Sequence, residues 1–282
     1  IFTYFCFEYF FNSKAFFYTL GFIGTTKIIV FCITLIFVFL IGFIDDKIKL
    51  KPFTKLILLS IVISVIFLIN PKIVINSLNF SFYDKSIDLF SLGILFSVLC
   101  VLTYINMLNM LDGINLISGI YYLSIITILF IYNYQIPFAI TFLVATAFFI
   151  FLNYNGKIYL GDSGVYLISF LIAIVIIGLY EKKNFNVEQV LLFMFLPAID
   201  FFRLIVVRIL NRRHPFVADE NHFHHLLSKK YKFNVKILFL VFFIFFPVLL
   251  DFILNIQEYL IIFLMILMYY FYLKKISFKK KS

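Results

Sequence analysis

Apolar runs long enough to cross a bilayer follow one another along this chain, separated by short polar segments. A membrane helix needs roughly 20 predominantly apolar residues. The pattern predicts nine such spans, at about 27–44, 55–69, 90–106, 116–133, 136–153, 164–180, 188–211, 234–254 and 257–274. Residues 1–24, an aromatic-rich apolar run holding Glu8 and Lys14, predict the remnant of a tenth. The runs lack the alternation of lipid-facing and lumen-facing residues that marks barrel strands, so they read as helices. Between the second and third spans, Ile73, Ile75, Phe80 and Phe82 alternate with smaller or polar residues around Asn76-Ser77. That alternation predicts a short β-hairpin at 73–83 lying on the outer membrane face. The expected fold is therefore an all-α polytopic membrane protein of nine to ten transmembrane helices. Residues 1–282 show no internal repeat or low-complexity linker and read as one domain. The chain opens on Ile1 with no recognisable cleavable signal peptide, and a chain lacking its N-terminal segment is the expectation.

Composition sharpens this picture. With 64% hydrophobic and 13% charged residues and a mean hydropathy of +1.08, the chain is excluded from the class of soluble domains. Cys6, Cys32 and Cys100 lie singly in apolar runs and read as small core residues, neither a disulfide framework nor a metal site. A net charge of +10 on a soluble protein would raise nucleic acid as a partner; here the positions of the charges argue against one. Alternating sides from span to span places 45–54, 107–115, 154–163, 212–233 and the tail after 274 on one side. Seventeen Lys and Arg lie in or beside these segments, against Lys72, Lys85, Lys182 and Lys183 on the other side. The positive-inside rule then makes the first set cytoplasmic, contacting anionic membrane lipids.

The same set of loops holds all the polar clusters. Asp45 and Asp46 end the first span; two adjacent carboxylates repel unless a cation shares them, and stop-transfer charges paired with Lys47 and Lys49 are the plainer alternative. Asn106, Asn109 and Asp112 recur every three residues, which sets two amides and a carboxylate in one row on a helix before Gly113. Helix–helix hydrogen bonding explains one such Asn but not the row. Asp162 and Ser163, within Gly161-Asp162-Ser163-Gly164, open the sixth span, either as N-caps or as part of an anion site at a helix N-terminus. Last come Arg212, Arg213, His214-Pro215-Phe216 and Asp219-Glu220-Asn221-His222-Phe223-His224-His225. Arg and His beside acids suit a diphosphate pocket, and the segment has neither the cysteine pattern nor the His-Glu-x-x-His pattern of a zinc site. A solvated basic loop is the alternative. Ionisable groups near membrane depth point to function by default, and four clusters on one side point to an active site.

Taken together, these motifs resemble the polyprenyl-phosphate N-acetylhexosamine-1-phosphate transferase family over roughly residues 27–233. Asp45-Asp46 is similar to its paired aspartates, and Asn106 to Gly113 to its Asn-x-x-Asn-x-x-Asp-Gly signature. Gly161-Asp162-Ser163-Gly164 and Pro215-Phe216 through His222-Phe223-His224-His225-Leu226-Leu227 are similar to its later motifs. The resemblance implies attack by undecaprenyl phosphate on a UDP-amino sugar, with release of UMP, at the cytoplasmic face of the bacterial inner membrane. It further implies Mg²⁺, with Mn²⁺ as the alternative ion, held by Asp112 and Asp162, and a catalytic group of Asp45, Asp46 and Asp112. Asn106, Asn109, Asn115, Arg212, Arg213, His222, His224 and His225 are the implied substrate-binding residues, and a homodimer is among the arrangements the resemblance allows. Three departures stand out: Asn115-Leu116 where the family usually has Asp-Gly, Val165 where a small hydroxyl residue is common, and no basic motif ahead of Asp45. The histidine cluster is closer to the branch that starts envelope polysaccharides such as lipopolysaccharide O-antigen or teichoic acid. A UDP-MurNAc-pentapeptide phosphotransferase is the alternative within the family. An ion-coupled transporter using Asp200, Arg203 and Asp251 at membrane depth is the alternative outside it.

Overall fold

A computed structural model of the chain describes residues 22, 24–113, 116–131, 139–182, 185–213, 221–254 and 256–277. Helix α1 (Thr25–Ile48) ends where Lys49 turns into the left-handed conformation, and Pro52, preset for a first helical turn, starts α2 (Pro52–Ile69). A two-stranded antiparallel hairpin follows, β1 (Ser77–Phe80) and β2 (Tyr83–Asp88). Then come α3 (Gly93–Leu111), α4 (Ile117–Ile131), α5 (Ala139–Tyr154) and α6 (Gly161–Glu181). The later helices are α7 (Val187–Phe193), α8 (Phe195–Leu210), α9 (Phe223–Lys230), α10 (Phe233–Leu254) and α11 (Glu258–Ser277).

Helix α6 is the axis of the molecule. Of its apolar window 72% is buried, against 33% for α1 and 22% for α2 and α11, and both α1 and α3 pack along it. The outer helices instead present Phe37, Leu68, Leu238, Phe263 and many similar side chains to the surroundings. So large an apolar surface is stable only in lipid, which makes this a multi-pass membrane protein.

Six helices are long and apolar enough to span a bilayer among the described residues: α1, α2, α3 with its leading turn, α6, α10 and α11. Helices α7 and α8 make a seventh if counted as one span, bent by 89° at Met194. Pro197 explains the break, since its ring excludes the carbonyl of Phe193 and its nitrogen cannot donate to it. The continuous span expected at 188–211 is thus two helices. The spans expected at 116–133 and 136–153 correspond to α4 and α5, of 15 and 16 residues, and residues 132–138 between them lie outside those described. At a rise of about 1.5 Å per residue these helices reach about 22–24 Å, short of the roughly 30 Å hydrocarbon core. The described chain therefore has six or seven candidate spans where the sequence predicts nine to ten. Residues 1–21, where the tenth was expected, also lie outside those described.

The hairpin runs from 77 to 88, later than the predicted 73–83. Ile73 and Ile75 are buried in the bundle, where the amide of Ile75 donates to Ser97 at 2.8 Å, so they do not belong to a strand. Glu188 of α7 accepts from the amide and hydroxyl of Ser81, and the Tyr180 hydroxyl of α6 donates to the carbonyl of Ser77. These bonds fix the hairpin to one end of the bundle. The polar clusters lie at the other.

Candidate active site

The site begins with a glycine. A Cβ on Gly42 would stand 2.5 Å from Ser163 Cα and 2.7 Å from the Asp162 carbonyl oxygen, so only glycine lets α1 lie this close to the start of α6. One turn later α1 delivers Asp45 and Asp46 to that helix end. The Asp46 carboxylate accepts from the amides of Asp162 at 2.8 Å and Ser163 at 3.1 Å. Capping of α6 therefore comes from another helix. The expectation that Asp162 or Ser163 caps its own helix is corrected, because the N-cap position is Leu160 and its side chain makes no cap bond. The amides read as an anion site are the ones Asp46 occupies. Gly161, at φ +66°, leaves room for that carboxylate, whose oxygen would lie 3.0 Å from a Cβ there.

Asp45 turns inward. It is buried and accepts from Lys55 Nζ at 2.9 Å, the Tyr166 hydroxyl at 2.8 Å and the Leu50 amide at 2.8 Å. Its carboxyl also lies against that of Asp162. Asn106, Asn109 and Asp112 follow the partly open face of α3, and the Asn106 side chain donates to the Leu102 carbonyl at 2.7 Å. Asp112 ends α3 and accepts from the Ser118 hydroxyl. Burial pushes its carboxyl up to about 6; the Ser118 bond opposes the rise and the charge of Asp46 adds to it. Asn153 of α5 holds the neighbouring loops together, accepting from the Leu116 amide and donating to the Ile158 carbonyl, each at 2.7 Å.

Gly113 joins this end to the histidines. A Cβ there would meet His224 Nε2 at 2.9 Å and His225 Nε2 at 3.0 Å. His222, just ahead of α9, places Nδ1 2.9 Å from Asp200 Oδ2, and its ring stacks on His224 with centroids 5.3 Å apart. His224 is buried with neither ring nitrogen partnered, and burial first, then the charges of His225, His222 and Lys236, drive its pKa down to about 3 against the pull of Asp200. It is a neutral imidazole at pH 7. Arg212 and Arg213 are exposed beyond α8, and no ion pair links either to the aspartates among the described residues. Asn115, Pro215, Phe216, Asp219 and Glu220 lie outside the described residues.

Among the described residues one group sets three possible metal ligands close together, and the aspartates form a second, looser group. Asp200, His222 and His224 offer ligand atoms within 4.8 Å of one another. Asp200, however, is already engaged by Arg203, Tyr269, His222 and the Phe223 amide, and the Arg203 guanidinium 2.7 Å away would repel a cation. The aspartates at the meeting of α1, α3 and α6 are all-oxygen donors whose mutual repulsion a dication relieves, which fits Mg²⁺ better.

A family model described as glycosyl transferase family 4 matches residues 28–180, more than half of the chain. The chain belongs to glycosyl transferase family 4. The matched stretch carries three of the four clusters, and in this family 4 chain the fold brings the fourth, the histidines, against Gly113 from outside it. A relative from Bacillus subtilis (strain 168), named a probable undecaprenyl-phosphate N-acetylglucosaminyl 1-phosphate transferase, is 29% identical over 109 residues. That alignment covers 36% of this chain and 30% of the relative. Sequence reading missed the groups that hold the family 4 chain's candidate residues in place: Lys55, Tyr166, Ser118, Asn153 and Tyr269. Each lies on a different element from the group it binds or in a connecting loop, so no local spacing marks it.

Proposed function

We propose that this chain transfers an N-acetylhexosamine-1-phosphate from a UDP-amino sugar to undecaprenyl phosphate, releasing UMP, as the first membrane step of an envelope polysaccharide. One observation carries the reading: Asp45, Asp46, Asp112, Asp162 and the three histidines, from segments far apart in sequence, gather at one end of the helix bundle. The relative's printed name supplies the substrate class. The excess of Lys and Arg in loops at that end supports a site facing the cytoplasm.

An oxygen of the lipid phosphate attacks the β-phosphorus of the UDP-sugar. The new phosphorus–oxygen bond joins sugar phosphate to lipid phosphate, and the broken bond releases UMP with the bridging oxygen. Phosphoryl transfer of this kind needs positioning and charge compensation more than covalent help. Lys55, held by Asp45, presents a cation to the incoming lipid phosphate, and Asp45 takes its proton if it arrives protonated. Asp46 acts one step back, because it fixes the start of α6 and therefore Asp162. Asn109 and the histidines orient the sugar nucleotide beside Asp112. Asp112 and Asp162 would hold Mg²⁺ or Mn²⁺, which when bound supplies charge neutralisation on the diphosphate and the departing UMP. An apolar groove of about 360 Å³, lined by Phe96, Leu99, Cys100, Met107, Ala173 and Phe202, runs along α3 and suits part of a prenyl chain.

Membranes carrying the chain, given undecaprenyl phosphate, Mg²⁺ and UDP-GlcNAc, are expected to release UMP only when the lipid is present. Asp112→Asn should abolish the release. Lipid-independent release, or none with any UDP-amino sugar, would overturn the reading.

A further inference from the structure

Asp200 lies deep in α8, outside the aspartate group, yet it is among the most heavily engaged side chains of the described chain. Its Oδ1 accepts from Arg203 at 2.7 Å, from the Tyr269 hydroxyl of α11 at 2.8 Å and from the Phe223 amide at 3.1 Å. Its Oδ2 faces His222 Nδ1 at 2.9 Å and the same amide at 3.2 Å. Arg203 extends the network, donating to Tyr269 at 2.9 Å and to the carbonyl of Asn221 at 2.6 Å. A carboxylate in a fully formed buried network sets geometry for whatever it holds. Here it holds the first two residues of the histidine segment.

We propose that Asp200, Arg203 and Tyr269 form a positioning unit that fixes His222, and through it the stacked His224 and the tilted His225 beyond it, for binding the sugar nucleotide. Because carboxylate oxygens only accept, His222 carries its proton on Nδ1 and leaves Nε2 free to face a ligand. These ring contacts, one stacked and one tilted, then pass this fixed orientation to the imidazoles that adjoin Gly113, one residue from Asp112. The unit bridges α8, α9 and α11, and both α8 and α11 lie outside the segment that matches the family. It serves the soluble substrate rather than the lipid, since the histidines adjoin the carboxylate end and none of them lines the apolar groove.

The inference rests on the transferase reading, and steady-state kinetics on the full chain in detergent separate the two. UDP-GlcNAc and undecaprenyl phosphate are varied independently for the parent, Asp200→Asn and Tyr269→Phe. Asp200→Asn keeps an acceptor for His222 but loses the charge, and is expected to raise the KM for UDP-GlcNAc about tenfold, the order expected from weakening one charge-assisted hydrogen bond. The KM for undecaprenyl phosphate should stay within about twofold. Tyr269→Phe removes one hydroxyl and should shift the same constant in the same direction, by about threefold. If Asp200→Asn does not fold, Tyr269→Phe decides alone. An active parent whose variants lose only active fraction, or whose two KM values rise together, overturns the inference. A parent that releases no UMP overturns the transferase reading and the inference with it.

Discussion

Asp112 stands under opposing demands. Burial favours its neutral form and raises its pKa to about 6, whereas holding a dication requires the carboxylate. A carboxyl whose pKa is raised in the folded state contributes stability below its ordinary range, and loses it as pH rises through about 6. At pH 7.5 the cation-free protein therefore carries a half-buried carboxylate whose partner, the Ser118 hydroxyl, is neutral, and a bound ion relieves that charge. Mn²⁺ is expected to raise the melting temperature in detergent at pH 7.5 and to do so progressively less below pH 6. Asp112→Asn should raise the melting temperature of the cation-free protein at pH 7.5 and abolish the response to Mn²⁺; an unchanged response would remove Asp112 from the cation site. The spacing of Asn106, Asn109 and Asp112 made this row legible in the sequence, because a three-residue repeat has one meaning on a helix. Asp46 was legible as a candidate site residue but not as the cap of α6. Its partners are 116 and 117 residues away, and only the close approach at Gly42 brings them together.

Among the elements, the contact of α1 with α6 decides whether the carboxylates meet. Gly42→Ala puts a methyl against backbone that cannot yield, and should destabilise the fold by about 1–3 kcal/mol, as overpacking commonly does. Its melting temperature should fall and UMP release should fall further, since Asp45 and Asp162 separate before the bundle unfolds. A variant with parental stability and activity would show that the two helices do not need this approach. The groove along α3 makes a different prediction. Cys100→Trp fills it, and should raise the KM for undecaprenyl phosphate several-fold while leaving that for UDP-GlcNAc unchanged; equal effects on both would exclude the groove as the lipid path. Helix positions were legible from apolar runs, but the break at Met194 was not. Pro197 is tolerated in a first turn and disruptive in an interior, and the sequence does not say which of the two it occupies. The hairpin began late for a related reason: Ile73 and Ile75 alternate like a strand, but tertiary burial claims both.

Across the whole molecule, span number and sidedness separate. Counting α4 and α5 as spans or omitting both leaves every later loop on the same side, so the seven-span count, with α7 and α8 taken as one span, preserves the sorting of charges made with nine, whereas six spans would move 212–233 and the tail to the other face. Cysteines placed singly at Lys47 and Lys85, in a chain otherwise free of cysteine, are expected to react with an impermeant maleimide from opposite membrane faces, Lys47 from the cytoplasmic one. Labelling from the same face would refute the topology. The aspartates and histidines were legible as one candidate site because their loops fall on one side. The tie that steadies the histidine segment was not, since Asp200 is held in part by Tyr269 of α11, a residue in an unbroken apolar helix. That tie reaches into genetics. A reading frame that stopped just before α11 would still encode all four site aspartates and all three site histidines, and would pass any inspection by motif. Its product would nonetheless lack the hydroxyl that steadies Asp200, so such an allele is expected to behave as a loss of function with every signature residue intact.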